Sequence, residues 1–105
     1  LKKIAEGDRR KELARAALGQ SSVSVGAADI VIAAIYERTT GKYGKRGVMY
    51  AHMEAGHAAQ NIYLQAVSLG LGTLAIGAFK DDRVSEILKM EKDENPLYIM
   101  PVGEK

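Results

Sequence analysis

Three observations on the sequence predict a layered domain of α/β or α+β class, organised around one long helix. Between Gly47 and Phe79 the chain carries a single formal charge, Glu54, although Lys and Arg are plentiful on both sides. The run Asp29-Ile30-Val31-Ile32-Ala33-Ala34-Ile35-Tyr36 is apolar, rich in β-branched residues and without alternation, which predicts a central strand buried on both faces. Helical and extended patterns then follow one another in the order α-β-α-β-α-β. Three strands make a thin sheet, so partner strands from elsewhere are expected.

The first helix is expected over residues 8–18. Gly7 or Asp8 is its N-cap, Leu13, Ala14, Ala17 and Leu18 are its apolar face, and Gly19 is its stop. Its Lys and Arg predict a solvated face. Residues 20–26 read as a polar loop, followed by the apolar strand. Residues 37–46 read as a basic loop holding Gly41, Gly44 and Tyr43. The long helix is expected over residues 45–69. At about 100° per residue, Tyr50, Glu54, His57, Asn61, Gln65 and Ser68 fall on one narrow stripe, and Val48, Ala51, Ala55, Ala58, Ala59, Ile62, Ala66 and Leu69 oppose it. Met49, Met53, Leu64 and Val67 widen the apolar arc, so the helix is expected to be buried round most of its circumference, against other elements or a second subunit. Gly70 and Gly72 end it, and residues 73–76 form a short strand. A helix over residues 82–90, capped by Asp81 or Asp82, presents Val84, Ile87 and Leu88 to the core. A last strand covers residues 97–100 and closes at Pro101-Val102-Gly103.

The length of 105 residues favours one domain, here residues 1–105. A net charge of +2 with mixed signs gives no case for nucleic acid, although residues 1–15 and 37–46 are locally basic. The absence of cysteine removes disulfides, thiolate catalysis and zinc–thiolate sites. Glu54, His57, Gln60, Asn61 and Gln65 break any run of about twenty apolar residues, which argues against a membrane span. A soluble cytoplasmic protein is the expectation. The chain begins Leu1-Lys2-Lys3 without Met, as a piece of a longer protein would.

Four constellations bear on chemistry. Glu54 and His57 have the Glu-x-x-His spacing of bundle metal sites, but the second pair and the extra carboxylates such sites need are missing, so a hydrogen-bonded stripe or a dimer contact is the simpler account. Gly70-Leu71-Gly72 follows a helix and opens a strand, the reverse of a dinucleotide fingerprint, and reads as a tight αβ turn. Ile76-Gly77-Ala78-Phe79 leads from a strand to a helix. Without bulk at 77 and 78, a flat ligand could lie against this backbone and accept an N–H hydrogen bond; a plain turn is the alternative. Lys42-Tyr43 can deliver protons from an ammonium or a phenol, or can simply lie in a solvated loop.

The segments Glu54 to Asn61, Gly70 to Phe79 and Pro96 to Gly103 resemble the C-terminal half of FMN-dependent nitroreductases. With Glu37 to Gly47, the chain is most similar to the peptide-azoline (thiazole/oxazole) dehydrogenase-like branch. The resemblance covers nearly all of the chain. It implies an α+β fold with a long central helix on a small sheet, and a homodimer formed through the 45–69 helix with FMN at the subunit interface. It implies cofactor contacts from Ala75, Ile76, Gly77 and Ala78, with the Gly77 N–H facing flavin N5, through which hydride would pass. Lys42 and Tyr43 match a Lys-Tyr pair proposed for proton handling. The Arg-Ser-x-Arg segment that helps hold the flavin phosphate has no counterpart, which points to a missing N-terminal half; Lys105 is the candidate for a late phosphate contact. The implied activity is oxidoreduction by NAD(P)H or by the substrate, a small molecule or a peptide. The alternative is a non-catalytic dimerisation or interaction module that has lost the flavin-phosphate site. The weaker reading of a nucleotide-binding fragment lacks a phosphate loop in the right context.

Overall fold

The computed structural model describes residues 6–105. Of the basic stretch 1–15, the first five residues therefore lie outside the described residues. The architecture is α+β, a small antiparallel sheet with one long helix on one face and three of the four short helices on the other.

The first helix, α1 (Arg10–Ala16), is shorter than expected, and its N-cap is Arg9. Asp8 still serves the helix start, accepting the Arg10 N–H at 3.0 Å. Gly19 is not the residue that turns α1 off. Leu18 takes the left-handed conformation first (φ 58°), followed by Gly19 (φ 74°), and the Gly19 N–H closes the end on Ala14 O at 2.9 Å. A leucine there costs about 1–2 kcal/mol, so the surrounding fold imposes the turn. The expected loop 20–26 contains a second helix, α2 (Ser21–Val25). Its serines hid it, but Val23 is fully buried and fixes it to the core.

The apolar run forms β1 (Ala28–Ala34), which is not central and not buried on both faces. The sheet order is β1-β3-β2, where β2 is Leu71–Thr73 and β3 is Asn95–Glu104. β1 is a border strand, its exposure alternates, and Ile30 is 42% exposed. The middle strand is β3, longer than expected and antiparallel to both neighbours. It contains Pro96 and Pro101. Neither lies opposite a β2 residue, because β2 pairs only with residues 102–104. A bulge between Ile32 and Ala33 leaves Leu97 without a partner beside Pro96. The expected strand 73–76 begins and ends earlier, at 71–73, and only Ile76 rejoins the sheet, bridging Ile99.

The expected basic loop 37–46 is largely a helix, α3 (Glu37–Tyr43), with no buried residue. Gly44 (φ 63°) turns it into the long helix α4 (Arg46–Ser68), within a residue of its expected bounds. The crossing of α3 and α4 is close enough that a Cβ on Gly47 would lie 2.7 Å from Thr40 N. Gly47, Ala51, Ala55, Ala59 and Ala66 are the buried residues of α4. That is one alanine stripe rather than most of the circumference. The polar stripe 54, 57, 61, 65 and 68 is exposed, as is Ala58. Leu69 and Gly70 (φ 73°) end the helix as expected. The last helix, α5 (Asp81–Ile87), has Lys80 as N-cap with no side-chain cap; Asp81 and Asp82 lie inside its first turn, where acids favour the helix dipole. Across the sheet from α4, α1, α2 and α5 close the core with Leu13, Ala14, Ala17, Val23, Ile76, Val84 and Ile99. Burying each larger aliphatic there contributes about 1.5–3 kcal/mol.

Candidate functional site

The turn around residues 75–80 is pinned at Ala75, Ile76, Ala78 and Lys80. The Ala75 N–H donates to the Tyr63 hydroxyl at 2.7 Å. Ile76 exchanges two backbone hydrogen bonds with Ile99, both 2.9 Å. Gln20 Nε2 donates to Ala78 O at 3.0 Å, and the Lys80 N–H donates to Ala16 O at 2.8 Å. Ile76 points into the core, 4% exposed. Gly77 and Ala78 face solvent. Among the described residues, no group accepts a hydrogen bond from the Gly77 or Ala78 N–H. A Cβ on Gly77 would meet only Tyr98 Cε1, at 3.8 Å. The corner is therefore rigid, free of side chains on its outer side, and armed with unused donors.

A second orphan lies just upstream. Thr73 Oγ1 is buried without a partner, beside a cavity of about 230 Å³ that Val25, Gly26, Leu74, Gly103 and Glu104 also line. Lys105 lies at this border, its Cγ 3.5 Å from where a Gly72 Cβ would sit, and its ammonium is exposed.

Lys42 and Tyr43 sit elsewhere, at the C-terminal end of α3 rather than in a loop. Lys42 Nζ lies 5.3 Å from the centre of the Tyr43 ring, and Tyr43 meets Tyr50 edge-on at 5.1 Å. Arg46 completes the stack, its Nε donating to Tyr50 Oη at 3.2 Å. Tyr50 and Tyr63 are thirteen residues apart on α4, about 20 Å along the axis at 1.5 Å per residue. One chain thus keeps the Lys42-Tyr43 pair and the 75–78 corner apart, while it brings 75–78 together as a unit.

The sequence reading missed the groups that hold the corner. Tyr63 carried a weak signal, a phenol on the flank of an apolar helix. Gln20 carried none, because its contact with Ala78 is long-range. It also missed the Tyr36–His52 contact, 2.7 Å between Oη and Nε2, which ties the start of α3 to α4. Among the described residues, no three His, Cys, Asp or Glu gather as metal ligands, and no helix is long and apolar enough to cross a membrane.

The nitroreductase family model matches residues 1–104. A protein of Methanocaldococcus jannaschii that bears the nitroreductase name is 56% identical over 94 residues, 90% of this chain and 46% of that protein. The chain thus spans about half the length of that relative. A nitroreductase crystal structure from Anabaena variabilis superposes with a TM-score of 0.86 at 38% identity, over 93% of this chain and 20% of that one. The NADPH:FMN oxidoreductase of Vibrio harveyi, solved with NAD+, gives a TM-score of 0.79 at 27% identity, over 96% and 47%. The Escherichia coli microcin synthetase complex McbBCD, solved with truncated pro-MccB17, gives 0.81 at 26% identity, over 90% and 37%.

Proposed function

The chain belongs to the nitroreductase family, and from that membership we propose that it is part of an FMN-dependent oxidoreductase that holds the flavin at its 75–78 corner. The observation that carries the reading is the Gly77 N–H, unpaired and fronted by open space in a backbone fixed on both sides. A planar ring system can approach such a surface closely and accept its hydrogen bond. When bound, FMN would supply the two-electron chemistry, with hydride passing through N5. The protein's part is to place the donor. Tyr63, Ile99 and Gln20 hold the corner still, and Lys105 supplies positive charge for the phosphate. The name of the Vibrio harveyi neighbour, an NADPH:FMN oxidoreductase, supports the choice of flavin and a pyridine-nucleotide reductant. A cytoplasmic setting, where such reductants are available, belongs to the proposal.

Within one chain the two candidate groups stay apart, and a second copy whose α4 runs antiparallel to this one would carry its own N-terminal end of that helix toward this chain's corner. The exposed faces of Met49, Met53, Leu64 and Val67 (43%, 50%, 60% and 65%) support that homodimer. Lys42 and Tyr43 would then move protons on a substrate held at the flavin. The azoline-dehydrogenase-like branch, with a peptide as substrate, is favoured by this Lys-Tyr pair and by the microcin synthetase neighbour.

The test is a visible spectrum of the purified chain titrated with FMN, alone and with a polypeptide covering the rest of the M. jannaschii relative. A protein-bound flavin band is expected with that polypeptide present. Gly77→Val should abolish it while leaving Tm nearly unchanged, since the new side chain faces open space and surface changes stay within about 0.5 kcal/mol. No flavin affinity in either condition would overturn the reading. The same exposed α4 stripe favours a second reading, a dimerisation module without cofactor, which predicts a stable dimer and no flavin band.

A further inference from the structure

Asp29 is an unmet acceptor. Neither of its carboxylate oxygens has a hydrogen-bond partner among the described residues, and burial pushes the carboxyl up to about 6, with Arg10 opposing the shift and Asp8 adding to it. It is a single group on a border strand. The opposite imbalance is built from several groups at the corner between α3 and α4, where donors gather without an acceptor.

Lys42, Tyr43, Tyr50 and Arg46 form one row across that corner. Lys42 Nζ lies 5.3 Å from the centre of the Tyr43 ring, the Tyr43 and Tyr50 rings meet edge-on at 5.1 Å, and Arg46 Cζ lies 5.8 Å from the centre of the Tyr50 ring. The Arg46 Nε–H is spent on Tyr50 Oη. That leaves the two Nη amino groups of Arg46, the hydroxyl protons of Tyr43 and Tyr50, and the Lys42 ammonium as donors. Among the described residues none of them donates to a protein acceptor, and no carboxylate pairs with Lys42, Lys45 or Arg46. Lys42, Tyr43, Lys45 and Arg46 are exposed, and Tyr50 is half-buried. The base under the row is firm. Gly47 lets the backbones of α3 and α4 touch, and the Tyr36–His52 contact ties down the other end of α3.

We propose that this row grips a carboxylate side chain of a peptide substrate, with Arg46 as the residue that holds it and Tyr50 as the residue that aims Arg46. An ionised carboxylate only accepts hydrogen bonds, and its two coplanar oxygens match the fork of a guanidinium. The inference rests on the reading of a peptide substrate given above and names its charge: the peptide carries Asp or Glu within a few residues of the group that Lys42 and Tyr43 act on. A phosphate of NADPH offers similar oxygens, which makes NADPH the competing arm of the test.

The experiment titrates the chain, without FMN, with an acetylated and amidated peptide of alternating Gly and Glu, and follows the ring resonances of Tyr43 and Tyr50 by NMR. The same peptide with Gln in place of Glu controls for charge. The Glu peptide should shift both rings and the Gln peptide neither. Arg46→Gln should weaken binding by roughly 10-fold, as loss of a charge-assisted hydrogen bond predicts. Arg46→Lys should weaken it by roughly 3-fold, because an ammonium keeps the charge and loses the fork. Tyr50→Phe should fall between the two, since Arg46 then loses the hydroxyl that orients it. Lys11→Gln combined with Arg15→Gln removes two positive charges from α1 and should leave the affinity within about 2-fold, because exposed charges that far away are screened. Circular dichroism confirms that each variant is folded. Equal affinity for the two peptides, equal losses from the α1 pair and from Arg46→Gln, or displacement of the Glu peptide from both rings by NADPH would each overturn the proposal. Flavin uptake is read separately: a chain that binds the Glu peptide in this way and takes up no FMN would support this inference and defeat only the flavin reading.

Discussion

Gly47 has no room for a methyl group. Its Cβ would fall 2.7–2.8 Å from backbone atoms of Thr39 and Thr40, which cannot swing aside as a side chain would. Gly47→Ala should therefore cost about 1–3 kcal/mol, the usual range for overpacking, and lift α3 off α4. Urea unfolding checks the first effect and exchange rates in residues 37–43 the second. Asp29 makes the opposite case, a residue whose removal helps the isolated chain. Its folded carboxyl sits at about 6 against an ordinary 3.8, so the folded state holds the proton more tightly. Its contribution is fully present below pH about 4 and is lost as pH rises to about 6. Asp29→Asn should match the native chain at low pH and exceed its stability above pH 6 by on the order of 1 kcal/mol, after discounting for partial exposure. Melting curves across that window decide it. Asp8 differs because it is exposed and its partner is at hand: the hydrogen bonds from Arg10 hold its carboxyl down at about 2.

Among the elements, α4 does two jobs on opposite sides. Its alanine stripe lies close to the sheet, and the flank residue Tyr63 reaches past the helix end to fix Ala75. Tyr63→Phe keeps the ring and removes only that bond. A part-buried N–H left unpaired costs about 1–2 kcal/mol, so Tm should fall, and under the flavin reading FMN affinity should fall with it. A variant that loses stability yet binds FMN as before would separate the corner's rigidity from its function. α3 shows why short helices escape a reading by periodicity. It buries nothing, and its position depends on contacts made with α4 by Tyr36, Thr40 and Tyr43.

At the scale of the molecule, the chain is open for its mass. It exposes 7256 Å², whereas a self-contained monomer of its mass of 11.3 kDa would expose about 5,700 Å². Its radius of gyration is 14.2 Å, against about 13 Å for a compact domain of this length. The excess is on the order of two standard interface halves of about 800 Å², and among the described residues the outer face of α4 and the edge of β1 are left uncovered. The chain should therefore self-associate in sedimentation equilibrium. The double substitution Met53→Lys with Leu64→Lys should render it monomeric with helix content unchanged, because neither side chain belongs to the core. A monomer before mutation, or an association indifferent to these two positions, would remove the dimer from the account.

The sequence by itself determined the long helix almost to the residue, because a charge-free stretch ended by Gly70 needs no distant contact to be recognised. It also determined the class of the fold, the number of strands and the glycine-lined corner at 75–78. Only the tertiary structure decided which strand is central. β3 pairs with β1 through residues 95–102 and with β2 through residues 102–104, which displaces the more apolar β1 to the border, and pairing between segments so far apart in the chain leaves no mark in local periodicity. It alone decided that Tyr63, Gln20 and Ile99 hold the corner, that Lys42 and Tyr43 stand far from it within one chain, and that the carboxylate oxygens of the half-buried Asp29 have no partner. Each of these depends on how elements are brought together in space, so no single segment contains it.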